Sequence, residues 1–194
     1  MSSMQTSTPP PVPVFILMGT AGCGKTSVAE EMQKLLQCEY IEGDQLHPKA
    51  NVDKMSRGEP LNDDDRYPWL QVIANVLEEK AKALQGQDVS STKRVIILTC
   101  SSLRKAYRDL LRKVPQANAT ITFVYLKGSP ELLLERITGR KGHFMAAKML
   151  ESQLDTLEEP DPSQENVIVA DIRKDPPTLA RWIVDEAHSR TILS

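Results

Sequence analysis

The segment Gly19-Thr-Ala-Gly-Cys-Gly24-Lys25-Thr26 constrains this chain more than any other stretch of it. It fills the pattern G-x-x-x-x-G-K-[ST], whose glycines let the backbone turn tightly enough to aim its N–H groups at phosphate oxygens. Before it stands a short apolar run, Val14 to Met18, suited to a strand buried on both faces. After it comes a helix in which Val28, Met32, Leu35 and Leu36 share one face, with its positive N-terminal end toward the same phosphates. Strand, glycine loop and helix in that order hold a nucleoside triphosphate. Gly19, Thr20, Ala21, Gly22, Cys23, Gly24, Lys25 and Thr26 are the expected ATP contacts. Lys25 reaches the β- and γ-phosphates, and Thr26 sets its hydroxyl on Mg2+.

The rest of the chain alternates strands and helices. Strands are expected at Tyr40–Glu42, Arg94–Cys100, Thr120–Leu126 and Val167–Ile172. Helices are expected near Val52–Ser56, from Pro68 onward, and over Leu103–Val114, Pro130–Arg140, Lys148–Leu157 and Pro177–Ser189. In the helix from Pro68, Trp69, Val72, Ile73, Val76, Leu77 and Leu84 form the apolar stripe, and a polar loop, Gly86–Lys93, ends it. This alternation implies an α/β fold: a five-stranded, mostly parallel sheet with helices on both faces. With 194 residues, the expected organisation is one domain over 14–194, including a small mobile insertion, behind a disordered leader at 1–13.

Composition removes several functions. The formal net charge is -2, without the basic excess of a nucleic-acid binder. No apolar run approaches the roughly 20 residues that span a membrane. The leader is rich in Ser, Thr, Pro and Gln and has neither the basic start nor the apolar run of a signal peptide, so a cytoplasmic protein is expected. Cys23, Cys38 and Cys100 form no CxxC pair, which argues against a zinc site or a disulfide framework.

The loop alone leaves the phosphate acceptor open: water, a nucleotide or a small metabolite. Asp44, just past the second strand, is set to face the nucleotide, because ligands of open parallel sheets sit beyond the carboxyl ends of strands. Its carboxylate either orients an acceptor hydroxyl, takes its proton or holds a metal-bound water, or it merely caps the next helix. His47 and Lys54 follow in a polar stretch. The run Asp63-Asp-Asp-Arg66 is either a solvated helix cap or a device that offers Arg66 to an anionic acceptor.

The blocks Glu42-Gly-Asp-Gln-Leu-His-Pro-Lys-Ala-Asn51, Lys54-Met55 and Gly58-Glu-Pro-Leu-Asn-Asp-Asp-Asp-Arg-Tyr-Pro-Trp-Leu70 resemble the gluconate kinase family. So do Cys100-Ser-Ser-Leu-Arg-Lys-Ala-Tyr-Arg-Asp-Leu-Leu-Arg112, Phe123-Val-Tyr-Leu-Lys-Gly128, Arg140-Lys-Gly-His-Phe-Met145, Leu150-Glu-Ser-Gln153 and Thr156-Leu-Glu-Glu-Pro160. The likeness runs from about Phe15 to Trp182. It departs at Thr20, Ala21 and Cys23, variable positions of the loop pattern, and at Ser102. The family is similar in fold to shikimate and nucleoside monophosphate kinases. The resemblance implies transfer of the ATP γ-phosphate to the 6-hydroxyl of D-gluconate, and it is compatible with a homodimer.

Arg136 and Arg140, four apart, share a helix face, and on spacing alone this is equally a solvated basic face. The resemblance implies instead a lid at about 140–150 that closes these arginines on the phosphates. Lys25, Asp44, Arg136 and Arg140 are then the expected catalytic groups, and Asp44, His47, Lys54, Arg66, Arg108 and His143 the expected gluconate contacts. Arg108 has a competing reading, as partner to a neighbouring acid. His143 and Lys141 face either phosphate or gluconate. The third strand ends Thr99-Cys-Ser-Ser102 with no aspartate, so Mg2+ is expected to rely on Thr26, the phosphates and water, with Asp44 nearby and Ser101 a further polar contact. Two other functions stay open: a kinase of another small acceptor such as shikimate or a nucleotide, and a regulatory module that binds ATP without transfer.

Overall fold

The computed structural model describes residues 9–87, 90, 93–138 and 143–193. Five parallel strands form one sheet: β1 (Val12–Met18), β2 (Glu39–Glu42), β3 (Ile96–Thr99), β4 (Ala119–Lys127) and β5 (Val167–Asp171), in the order β2-β3-β1-β4-β5. The chain leaves β1 toward one edge and later returns to the other. The carboxyl end of β1 therefore lies between two strands reached from opposite directions, where open parallel sheets take their ligands.

β1 alternates between two cores. Phe15 and Leu17 pack with Val28, Ala29 and Met32 of α1 (Lys25–Leu36) and Leu179, Ala180 and Ile183 of α7 (Pro176–Ser189). Val14, Ile16 and Met18 pack with Trp69, Leu70, Ile73 and Leu77 of α3 (Asp63–Gln85) and Tyr107 and Leu111 of α4 (Lys105–Leu111). Every residue of β1 except Pro13 is buried, which is why the segment reads as an unbroken apolar run. Pro13 precedes the first pairing with β3 at Val14 and so deprives that neighbour of no bond.

Several helix limits differ from expectation. α3 begins at Asp63, not Pro68, which lies inside it. Asn62 accepts from the Asp65 N–H at 3.0 Å while the Asp65 carboxylate accepts from the Asn62 N–H at 2.8 Å, a reciprocal cap that starts the helix upstream of the proline. The stripe is also narrower than expected, for Val72 and, on α1, Leu35 are exposed. α2 (Lys49–Ser56) starts earlier than the Val52 expected, and α4 is shorter than the Leu103–Val114 expected. α5 (Pro130–Thr138) leads toward α6 (His143–Thr156), which begins before the expected Lys148. Arg140, Lys141 and the His143 side chain lie outside the described residues.

Candidate active site

Between β1 and α1 the backbone takes the turn its glycines permit. Gly24 caps α1 at φ 91, a left-handed conformation that residues with a Cβ rarely adopt. Lys25 folds over the loop, its Nζ donating to the Gly19 carbonyl at 3.0 Å and the Thr20 carbonyl at 3.2 Å. Beside it Arg136 of α5 donates to the Ile172 carbonyl at 2.6 Å, tying α5 to the loop after β5. Gln153 of α6 accepts from the Ala21 N–H at 2.6 Å, so α6 is fastened to the loop as well.

Opposite the loop opens a cleft of about 180 Å3. Lys25, Asp44, His47, Arg66 and Ser101 line it, joined by Trp69 and Gln153. Asp44 stands on the single 3-10 turn Gly43–Leu46 that follows β2. Protein around the carboxyl raises its pKa; Lys25 opposes the rise and Glu42 adds to it. Burial, aided by the Arg66 charge, pushes the His47 imidazole down to about 4, so the ring is neutral. Arg66, in the first turns of α3, lies 5.8 Å over the Tyr107 ring and takes part in none of the ion pairs among the described residues.

Two expected gluconate contacts are elsewhere. Lys54 does not line the cleft: it pairs with Asp65 at 2.5 Å and bolts α2 to the start of α3. Arg108 is 1 % exposed and gives four of its N–H groups to Glu165 and to the Ser102 and Leu103 carbonyls. Four of the five N–H groups of this buried guanidinium go to protein acceptors and it does not line the cleft, an arrangement that favours its reading as an ion-pair partner. Its mate is Glu165, 57 residues away, a pairing no local pattern announces.

The residue that sequence reasoning passed over is Glu42. Its carboxylate accepts from the Thr26 hydroxyl at 2.9 Å, from the Tyr40 hydroxyl at 2.6 Å and from the Thr99 hydroxyl. Burial works to raise its pKa, but the bonds from Thr99, Tyr40 and Thr26 outweigh it and hold the acid ionised. The acidic group absent from the end of β3 is supplied by the neighbouring β2. The signal present in the sequence was an acid at a strand end; the missing knowledge was that β2 lies beside β3.

A family model described as an AAA domain matches residues 14–160. The thermoresistant gluconokinase of Escherichia coli K12 is 44% identical over 159 residues, 82% of this chain and 84% of that protein. The chain belongs to the gluconokinase family. Among solved structures, a gluconokinase from Sinorhizobium meliloti 1021 is similar with 36% identity and a TM-score of 0.71, covering 90% of this chain and 89% of that one. A sugar kinase from Janibacter sp. HTCC2649 is similar with 36% identity and a TM-score of 0.79, covering 95% of this chain and 99% of that one. The fold is that of a P-loop kinase, an ATP-using phosphotransferase. Among the described residues no helix is long and apolar enough to cross a membrane.

Proposed function

We propose that this chain is a gluconokinase that moves the γ-phosphoryl group of ATP to the 6-hydroxyl of D-gluconate, giving 6-phospho-D-gluconate and ADP. The observation that carries the reading is one cleft holding Lys25 of the phosphate loop, the Asp44 carboxylate and Arg66, a cation free to meet the carboxylate of a sugar acid.

Asp44 orients the 6-hydroxyl and takes its proton as the new O–P bond forms and the bond from the γ-phosphorus to the β–γ bridging oxygen breaks. Lys25 leaves the Gly19 and Thr20 carbonyls for the phosphate oxygens. Arg136, beside the loop, and Arg140 neutralise charge on the group in transit, and the α5–α6 segment closes as a lid over about 140–150 to keep water out. His47 and Ser101 hold acceptor oxygens, and His143 contacts phosphate or acceptor on closure. The Thr26 hydroxyl and the Glu42 carboxylate are an all-oxygen pair 2.9 Å apart at the loop, a donor set that fits Mg2+. These residues would hold the ion, which supplies neutralisation of the β- and γ-phosphate oxygens when bound. The three cysteines are free and buried, which suits a reducing compartment such as the cytoplasm.

A coupled assay of purified protein with ATP, Mg2+ and a panel of D-gluconate, shikimate and nucleoside monophosphates tests this. Turnover with gluconate above all others is expected. Turnover with another acceptor reassigns the substrate, and tight ATP binding without transfer to any of them overturns the kinase reading.

A further inference from the structure

What His47 can offer a ligand is decided by a residue that stands behind it, Asn51 of α2. Asn51 is 4 % exposed, and its Nδ2 donates to the Asp65 carbonyl at 2.8 Å. A backbone carbonyl only accepts, so the atom facing it is the NH2 nitrogen and the amide cannot be reversed. The same nitrogen lies 3.3 Å from His47 Nδ1. Its second hydrogen therefore meets Nδ1 as an acceptor. A neutral imidazole carries one proton, and with Nδ1 accepting, that proton sits on Nε2.

The ring is also fixed in orientation. It stacks on Trp69 with centroids 3.9 Å apart and planes 17° from parallel. Trp69 is itself held, its Nε1 donating to the Gly43 carbonyl at 2.9 Å, one residue before Asp44. Both rings line the cleft with Asp44 and Arg66.

We infer that Asn51 is a positioning residue: it sets His47 as a standing Nε2–H donor to an oxygen of the phosphate acceptor and denies it the role of proton acceptor. The inference rests on the reading of the cleft as the acceptor site. It leaves Asp44 as the base and makes His47 a selector for ligands that present an oxygen lone pair at that spot.

The charges around the ring agree. Arg66 of α3 and Lys25 of α1 face the cleft with positive charge, Asp44 and Glu59 with negative. A second proton on Nδ1 would confront the Asn51 NH2 and add to the Arg66 charge in a partly buried space.

The test is the tautomer itself, read in the 15N-labelled full chain by two-bond proton–nitrogen correlation of the imidazoles. The chain has three histidines, and the His47 signals are identified by their loss in His47→Gln. The expected result is the Nε2–H form with no titration between about pH 8 and 5. A proton on Nδ1, or a midpoint near the ordinary 6.5, overturns the proposal. Asn51→Asp turns the contact around, for a carboxylate accepts from Nδ1–H and draws the proton off Nε2. With the tautomer so reversed, the KM for the acceptor should rise about tenfold or more while the KM for ATP holds. An unchanged acceptor KM in that variant also overturns it. The wild-type tautomer is read without turnover, so its failure is distinct from a failure to phosphorylate gluconate.

Discussion

Thr26 gives its hydroxyl hydrogen to Glu42 across 2.9 Å, joining the last residue of the phosphate loop to the end of an edge strand. Glu42 also receives the Tyr40 and Thr99 hydroxyls, so one carboxylate orients three neighbours. An amide in its place must turn its NH2 toward at least one of these donors. Glu42→Gln is therefore expected to lower kcat/KM for Mg2+–ATP by about 10- to 100-fold, the usual cost of disturbing a group that supports a metal ligand. It should also raise the Mg2+ concentration at half-maximal rate. Rates measured against free Mg2+ at fixed ATP check this, and an unaltered Mg2+ curve would count against the assignment.

Asp44 supplies a pH dependence with a definite sign. Its carboxyl pKa is raised, chiefly by the protein around it, above the ordinary 3.8. A base must be ionised to work, so kcat/KM for gluconate falls as pH drops through that raised value. Asp44→Asn should lose about 100- to 10,000-fold in kcat and show no acidic limb of its own, with ATP affinity nearly kept. Equal losses in kcat and in ATP affinity, the latter read by calorimetry, would remove Asp44 from the acceptor side.

The Arg108–Glu165 pair predicts stability and not catalysis. The bonds from Arg108 hold the Glu165 carboxyl down to about 2, against an ordinary 4.5. Its folded pKa is depressed, so the stability it contributes is complete above about pH 4.5 and is lost as pH falls toward 2. Glu165→Gln should flatten the fall of Tm over that window. Arg108→Gln leaves the Glu165 carboxylate to Arg112 alone, 2.9 Å away, and should cost about 1–3 kcal/mol by urea unfolding while the remaining folded enzyme keeps its KM for gluconate. A raised gluconate KM would return Arg108 to the substrate site.

The parts of this molecule that were legible in sequence are those written in adjacent residues. The loop Gly19–Thr26 announced itself because its chemistry needs consecutive backbone groups, and β1 and β3 stood out because burial on both faces leaves apolar runs, whereas the half-buried β2 left only Tyr40 and Ile41 to read. Asp44, His47 and Arg66 line one cleft, since each sits at or beyond the carboxyl end of β2 or in the helix start that follows. What sequence did not yield depends on strand order and long-range pairing. Glu42 meets Thr26 and Thr99 only because β2 lies next to β3 and β3 next to β1. Arg108 reads in sequence as either a gluconate contact or a partner to a neighbouring acid, and its acid, Glu165, comes from the distant loop before β5. The start of α3 differs because the reciprocal Asn62–Asp65 cap opens the helix at Asp63, so Pro68 lies inside it and not in its first turn.

Gly43 tests how closely the fold and the cleft are joined. An added Cβ there would stand 2.0 Å from the Thr99 carbonyl oxygen, backbone against backbone, with no flexible side chain to yield. The turn that carries Asp44 could accept it only by moving off the end of β3. That movement breaks the bond from the Gly43 N–H to the Thr99 hydroxyl and shifts the carbonyl that holds Trp69, against which His47 stacks. Gly43→Ala should thus cost about 3 kcal/mol or more in urea unfolding, at or above the top of the usual overpacking range, and raise the acceptor KM in whatever folds. Gly86→Ala is the control, for its Cβ would come no nearer than 3.6 Å to the Ala83 carbonyl oxygen, an ordinary contact. It should change stability by less than about 1 kcal/mol. Similar midpoints for the two variants would mean that the turn is free to move without the sheet, and that Asp44 is not held by the close approach at Gly43.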